Sequence, residues 1–328
     1  MKIALTSHSG GQDFDFTVPG PWNALKDQFE TLGHNLVKLE GRPEVLIFNN
    51  FNAKLYRDFA QTLPPSRLVL VSWEPPINHA EMYEDHNLRK FGHKFFPSKI
   101  WAQNYGGHFF PWPQNYEVEY ESLDEWQNRL SKICMLQSNK WSFVKGENYT
   151  LRRQIPQKLE KQIDLFGPNW NRGVVYDSLA IVQTAVRSGR SSRFKKQALT
   201  GIGYKYRNYR GYVNDKIDTL KKYRYSLVVE NSNEYVSEKV FDVLRAGTVP
   251  IYIGGEFEDT GLDEKMVVRA QPNLSSIKEC IRSVMSDQPY AISVRNRGYE
   301  VMRDRQRNGH TLEDEFRSLA QKISEALT

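Results

Sequence analysis

Between Tyr223 and Gly255 the hydrophobic pattern changes period twice. Arg224 to Val229 alternates into an apolar run, and Glu230, Asn231, Ser232 and Asn233 interrupt it. From Tyr235 onward Val236, Val240, Val243 and Leu244 recur at helical spacing. Gly247 marks the helix end, and Val249 to Ile253 reads as a second buried strand. The segment is thus a strand–loop–helix–strand unit whose polar residues gather at the carboxyl end of the first strand, where open α/β sheets bind ligands. Tyr235, Glu238, Lys239 and Asp242, at i, i+3, i+4 and i+7, predict one polar helix face beside that loop.

Alternation of the same kind runs through the chain. Residues 2–7 read as a strand, Trp22 to Leu32 as a helix entered through Pro21 and closed by Gly33, and Asn35 to Leu39 and Val45 to Phe48 as strands. Arg57 to Leu63 is helical up to Pro64-Pro65, and Arg67 to Trp73 is a strand ending at Glu74-Pro75-Pro76. Aromatic, proline-rich stretches follow, then a helix near Leu123 to Leu130. A second alternation starts at Lys132: a strand to Gln137, a helix through Leu151 and Leu159, and a strand from Ile163 to Phe166. Helices near 176–188 and 214–222 lead into the segment described first, and Asn273 to Met285 and Thr311 to Leu327 are helices. The expected class is α/β with two halves, residues 1–130 and residues 131–328 with the closing helices.

Composition narrows this picture. A chain of 328 residues with 39% hydrophobic residues and charges of both signs can bury two ordinary cores. No apolar run approaches the roughly 18–20 residues of a membrane span. Cys134 and Cys280 are the two cysteines, which is no disulfide framework. The net charge of +6 is concentrated around Arg187, Arg190, Arg193, Lys195, Lys196, Lys205, Arg207, Arg210, Lys221, Lys222 and Arg224, interleaved with Tyr204, Tyr206, Tyr209 and Tyr212. That mixture could grip single-stranded nucleic acid by charge and stacking, form a pocket for a nucleotide-sugar or an anionic acceptor, or be a solvated basic loop.

Glu238 and Lys239 carry the most specific chemistry. A helix start attracts phosphate through its free N–H groups and dipole, and a lysine there adds a full charge. The neighbouring carboxylate suits sugar hydroxyls or an electron-poor carbon; an exposed charge pair is the plainer alternative. Glu74, at the end of a strand and on a turn stiffened by Pro75 and Pro76, is the clearest candidate for a general base.

The run ENSNEYVSEKVFDVLRAGTVPIYIGG resembles the signature of the α1,3/4-fucosyltransferases (glycosyltransferase family 10). Its matching residues are Glu230, Asn231, Ser232, Tyr235, Ser237, Glu238, Lys239, Ala246, Gly247, Val249, Pro250 and Gly254. The segment between Ser232 and Tyr235 is shorter than in many members. The resemblance implies two Rossmann-like domains facing across a cleft (GT-B type), with nucleotide-sugar in the second and acceptor in the first. It implies an inverting transfer of L-fucose from GDP-β-L-fucose to a glycan hydroxyl, expected as the 3-OH of N-acetylglucosamine or glucose. Another nucleotide-sugar is the alternative within enzymes, and a basic, aromatic-rich nucleic-acid-binding protein the alternative outside them.

By the same resemblance, Glu74 stands where a Glu-Ser-Pro-type turn supplies the base, with Pro75 in place of the small residue. Arg152, with Arg153 as the competing choice, and Lys239 would hold the diphosphate, and Glu238 the fucose hydroxyls. Asn231 and Tyr235 would line the nucleotide-sugar beside Glu230, and Lys216 would make a weaker nucleotide contact. No cofactor and no essential metal is expected, although Asp13-Phe14-Asp15 imitates a metal-binding triplet. The expected partners are GDP-fucose and an oligosaccharide acceptor, not nucleic acid. The expected location is the cytoplasm, as in bacterial or viral members, with peripheral membrane association left open.

Overall fold

The computed structural model describes residues 1–7, 13–187, 201–257 and 260–328. The chain divides into two compact units, Met1–Asn115 with His310–Thr328, and Tyr116–Gly309. Each is built on a six-stranded, all-parallel sheet.

In the first unit the strands are β1 (Lys2–Leu5), β2 (Asn35–Leu36), β3 (Val45–Asn49), β4 (Leu68–Val71), β5 (His93–Phe96) and β6 (His108–Phe109), in the order β2-β1-β3-β4-β5-β6. Both β3 and β4 are buried along their whole length, as a parallel sheet covered on both faces requires. Helix α1 (Trp22–Thr31) connects β1 to β2. The expected helix over Arg57 to Leu63 is a short helix α2 (Ala53–Leu55) continued by a wide π turn, Tyr56–Ala60. Two short helices, α3 (Asp85–Leu88) and α4 (Lys99–Tyr105), flank β5 in the aromatic stretch, where no periodicity was legible.

The second unit contains α5 (Leu123–Gln127), β7 (Leu130–Leu136), α6 (Tyr149–Lys158), β8 (Ile163–Phe166), α7 (Val174–Arg187), β9 (Tyr209–Gly211), α8 (Lys216–Leu220), β10 (Tyr223–Val229), α9 (Glu238–Arg245), β11 (Val249–Ile253), β12 (Val268–Arg269), α10 (Leu274–Ser286) and α11 (Gln288–Arg307). Its strand order is β12-β11-β10-β7-β8-β9. The chain winds outward one way from β7 and the other way from β10, so the topological switch lies between those two strands. Successive residues serve opposite cores. Ile133, Met135, Leu227, Val229, Ile251 and Ile253 enter one cluster, and Cys134, Val228 and Tyr252 the other.

Helix α9 ends at Gly247, whose φ of 64° suits a residue without a Cβ. The N–H groups of Gly247 and Thr248 donate to the Leu244 and Val243 carbonyls and close the last turn. Helix α11 was not expected, because Arg295 and Gly298 break its apolar stripe. Both are nevertheless buried: Arg295 donates to the Glu121 carbonyl at 2.7 Å, and a Cβ on Gly298 would lie 2.8 Å from Leu244.

The closing helix, α12 (Leu312–Leu327), departs from the expected domain assignment. It belongs to the first unit and packs on α1, so that unit contains residues from both ends of the chain. Phe316, Leu319 and Ile323 form its buried apolar face, and Thr311 and Asp314 form a capping box at its start. The Phe316 ring lies 4.5 Å from that of Trp22 and 6.4 Å from that of Trp73. Among the described residues no helix is long and apolar enough to cross a membrane. Phe316→Ala is expected to destabilise the first unit by about 3–5 kcal/mol, read as a lower urea midpoint by tryptophan fluorescence, with Phe316→Leu recovering most of the loss.

Candidate functional site

Strand β10 delivers Glu230 to the switch point with its carboxylate fully buried. Its backbone N–H donates to the Ile253 carbonyl at 2.7 Å, which extends the ladder one residue beyond the strand. A buried carboxylate needs several donors. Glu230 has the Ser237 N–H (2.8 Å), the Ser237 hydroxyl (2.9 and 2.8 Å to its two oxygens) and the Lys239 ammonium (3.0 Å). Ser237 is also the N-cap of α9, so one carboxylate fixes both the helix start and the lysine in its first turn.

This geometry corrects the helical reading of 235–242. Tyr235 and Val236 precede the helix, and Glu238 is its first residue. Tyr235 is buried, and its carbonyl accepts the Gly255 N–H at 3.1 Å. Lys239 turns inward to Glu230 and to the Ser237 hydroxyl (2.6 Å) and stays 20% exposed. Burial opposes its charge, but Glu230 and then Glu238 outweigh that and hold its pKa above the ordinary lysine value. Two of the three ammonium protons are used inside the protein, which leaves one donor. Glu238 lies 4.0 Å from the ammonium and is 41% exposed. Although desolvation works against its charge, Lys239 and Lys216 bring its pKa below the usual carboxylate range.

The loop after β10 is strapped to the entrance of α6. The Asn148 N–H donates to the Asn231 carbonyl (2.9 Å), the Asn148 side chain donates to Asn233 (2.8 Å), and Glu147 bridges to Ser232. One turn into α6, Arg152 is buried over the Tyr149 ring. Its Nη2 donates to the Val229 carbonyl (2.6 Å) and to Asn231 Oδ1 (3.0 Å), while Nε has no partner among the described residues. Burial lowers its pKa, with nearby Tyr149, Glu230, Glu147 and Glu238 acting in the other direction. Arg153 points elsewhere: its guanidinium lies 3.7 Å from the Trp141 ring centroid, and it donates to the Lys140 carbonyl and to Thr150. Burial pushes its pKa down to about 10. Of the two arginines, Arg152 is therefore the one that meets the β10 loop.

Lys216, the first residue of α8, pairs with Asp242 of α9 at 3.3 Å and is half-exposed. It thus lies on a different helix from Glu238, and the acid that engages it, Asp242, stands one turn beyond Glu238 on α9. Gln137, Asn139 and Tyr252 belong to the site without having been singled out from sequence. Gln137 donates to the Val229 carbonyl (3.0 Å), and its own carbonyl accepts the Trp170 indole N–H (2.6 Å). Gly167, at φ 116°, is required there, since a Cβ would lie 2.3 Å from that carbonyl. A Cβ on Gly254 would meet the Tyr252 hydroxyl and Glu230 Cγ.

Five buried polar atoms here lack a protein partner among the described residues: Gln137 Oε1, Asn139 Oδ1, Arg152 Nε, Ser232 Oγ and Tyr252 Oη. Such groups are costly unless a ligand or water serves them. Gln137 and Asn139 follow β7 and Ser232 follows β10, where polar residues ending apolar runs were the signal, while Arg152 comes from α6 and Tyr252 from within β11. Together with one free lysine donor and a half-exposed carboxylate, they suit a ligand that carries both negative charge and hydroxyls.

Glu74 belongs to the first unit and has its own setting. Asn50, at φ 63° after β3, receives the N–H groups of Trp73 (2.8 Å) and Glu74 (3.1 Å) on its side-chain oxygen. The Trp73 indole donates to Asn49, and the Tyr83 hydroxyl to the Glu74 carbonyl (2.8 Å). The Pro75 carbonyl accepts from Asn78 and His79. These bonds lock the turn and leave the carboxylate half-buried, with Asn78 donating to Oε2 at 2.5 Å. Asn49, Asn50 and Tyr83 were missed from sequence; the paired asparagines closing an apolar strand were the available signal.

Trp101 is buried against Tyr83 and serves packing. Asp13 accepts the Leu39 N–H and Asp15 bonds to Thr17, so each serves a local contact. Among the described residues, no group of three or more His, Cys, Asp or Glu is placed to hold a metal ion. The basic, aromatic stretch does not form one stripe: Tyr206 is buried against Trp170, Arg210 pairs with Asp164, and Lys221 pairs with Glu119. Arg190, Arg193, Lys195 and Lys196, and the Arg187 side chain, lie outside the described residues.

No family model matches the chain. It is 38% identical over 87 residues to a fucosyltransferase-like protein of Arabidopsis thaliana, a match that takes in 23% of this chain and 17% of that one. Solved structures similar across both units include Anabaena Alr3699/HepE in complex with UDP and glucose, with a TM-score of 0.56, 12% identity, and 99% of this chain and 100% of that one covered. Sucrose-phosphate synthase from Thermosynechococcus elongatus has a TM-score of 0.52, 12% identity, and 93% and 76% covered. The likeness shows the fold class expected from the sequence, two Rossmann-like α/β units of the GT-B type.

The Lys239–Glu230 pair has a pH signature. A raised lysine pKa contributes stability in full below the unfolded value of about 10.4 and loses it as pH climbs through the folded value. Lys239→Met should therefore cost about 3–5 kcal/mol at pH 8–9, and the difference from wild type, measured by urea denaturation, should shrink only above about pH 10.4.

Proposed function

We propose that the protein is a glycosyltransferase, and specifically an inverting fucosyltransferase that moves L-fucose from GDP-β-L-fucose to a glycan hydroxyl, α1,3-linked to N-acetylglucosamine or glucose. The observation that carries the reading is the gathering of charged groups around the buried Glu230 at the switch point of the second sheet: Lys239 bonds to it, Arg152 bonds to Val229 and Asn231 on either side of it, and Glu238 lies 4.0 Å from the Lys239 ammonium. The signature run at 230–254 and the partial match to a fucosyltransferase-like protein support the choice of sugar.

In this reading the diphosphate takes the unpartnered Arg152 Nε and the remaining Lys239 proton. A fixed guanidinium and ammonium stabilise the negative charge that develops as the glycosidic bond breaks. Being already in place, they need no reorganisation at that moment. Glu238, ionised and half-exposed, accepts hydrogen bonds from the sugar hydroxyls and offsets positive charge developing at the anomeric carbon. Asn231 and Tyr235 line the donor, and Lys216 is a lesser contact through its position on Asp242. Glu74, on its locked turn in the first unit, takes the proton of the attacking hydroxyl. Two fixed cations supply charge at the diphosphate, so the reaction is proposed to need no metal.

A UDP-sugar is the second reading, favoured by the like-folded Anabaena protein in complex with UDP and glucose. Calorimetry with GDP, GDP-fucose and UDP-glucose separates the two. GDP and GDP-fucose are expected to bind, and binding of UDP-glucose alone would overturn the choice of donor. Glu74→Gln should leave GDP affinity unchanged and lower transfer by about 100-fold or more; unaltered turnover would remove Glu74 as the base. Lys239→Ala should weaken GDP binding and turnover together, by about tenfold or more in affinity.

A further inference from the structure

The second unit has a cleft of about 1130 Å³ at the amino-terminal edge of its sheet, the edge opposite the site just described. It is bounded by Lys132 near the start of β7, the α6–β8 turn, the residues entering β9, and the second half of α10. The run of β7 from Lys132 to Gln137 puts roughly 16 Å of strand between the two places. Seven cations line the cleft against one acid, Glu160.

Two of the seven are accounted for, since Lys132 and Arg210 share Asp164 at 2.6 and 2.8 Å. The other five, Lys158, Lys161, Arg207, Lys278 and Arg282, make no ion pair with an acid among the described residues and are exposed. The helix dipole explains Lys158, which sits in the last turn of α6. It does not explain Lys161, Arg207 or Lys278, which come from a turn, a strand entrance and mid-helix. Cations from three separate elements around one concavity repel one another unless an anion joins them.

The geometry points to a second ligand site here, taking a multiply charged phosphate group. No aromatic side chain lines the cleft, which disfavours single-stranded nucleic acid, since that needs stacking platforms. A concave site with ammonium and guanidinium groups on several sides suits a compact oligoanion, with Arg207 and Arg282 able to chelate phosphate oxygens in pairs. The same chemistry is offered by free oligophosphate and by the headgroup of an anionic phospholipid.

The test uses the full wild-type chain, titrated with inorganic tripolyphosphate at low ionic strength, alone and with substitutions confined to the cleft. Saturable binding is expected. Adding Lys161→Gln, Arg207→Gln and Lys278→Gln, all exposed positions, should weaken it about tenfold or more with the thermal midpoint unchanged. Absence of binding, or undiminished binding after the three cleft substitutions, would overturn the site. So would binding of oligothymidylate without binding of tripolyphosphate. Sedimentation with phosphatidylglycerol and phosphatidylcholine vesicles separates the sources. Cleft-dependent binding to the anionic vesicles assigns the phosphate to a lipid headgroup, and its confinement to tripolyphosphate assigns it to a free ligand.

Discussion

The buried carboxylate of Glu230 is the constraint on which the second unit's polar end depends. A charge with no solvent contact must be answered by donors held in place, and here they are the Ser237 N–H, the Ser237 hydroxyl and Lys239. Those donors come from the start of α9, so satisfying the charge also decides where that helix begins. The close approach of the β11 end to Glu230 then requires glycine at 254. One ionised group thus couples strand end, helix start and neighbouring strand.

The second consequence is electrostatic. Arg152 and Lys239 carry two positive charges, and Glu230 and Glu238 two negative ones; Arg152 and Glu230 are buried, while Lys239 and Glu238 reach solvent. At Lys239 the acids Glu230 and Glu238 outweigh desolvation, whereas at Arg152 burial prevails and lowers the pKa against the opposing effect of Tyr149, Glu230, Glu147 and Glu238. The arrangement is therefore poised rather than simply positive. Arg152 Nε and one lysine proton remain available, while most of the charge is already balanced inside the protein. An anion with hydroxyls attached can use both the spare donors and the half-exposed Glu238, whereas a bare anion uses only the donors.

The two carboxylates proposed for catalysis are held differently. Glu74 rests on a turn fixed by Asn50, Tyr83 and the Pro75 carbonyl, so its backbone is rigid while its side chain accepts from a neutral partner, Asn78. Glu238 is set by the helix start and by two lysines. The contrast matches the division of labour proposed: a group that must accept a proton, and one that must remain charged.

Much of this was legible in the chain itself. The apolar runs of β3, β4, β10 and β11, the glycine that ends α9 and the polar residues closing β10 are local signals, and they located the sheet edges and the candidate site. Local signals also misled, because Tyr235 and Val236 fit a helical period although Ser237 caps the helix. In α11, buried Arg295 and Gly298 erased the stripe that would have revealed it. What the sequence determined was the order of elements and the residue types gathered at one strand end, since both follow from neighbours along the chain. The tertiary structure alone decided that Lys239 faces Glu230, that Arg152 rather than Arg153 joins them, and that α12 packs on α1. A periodic stripe says that a face is buried, but which distant surface covers it is settled by packing between segments far apart in sequence.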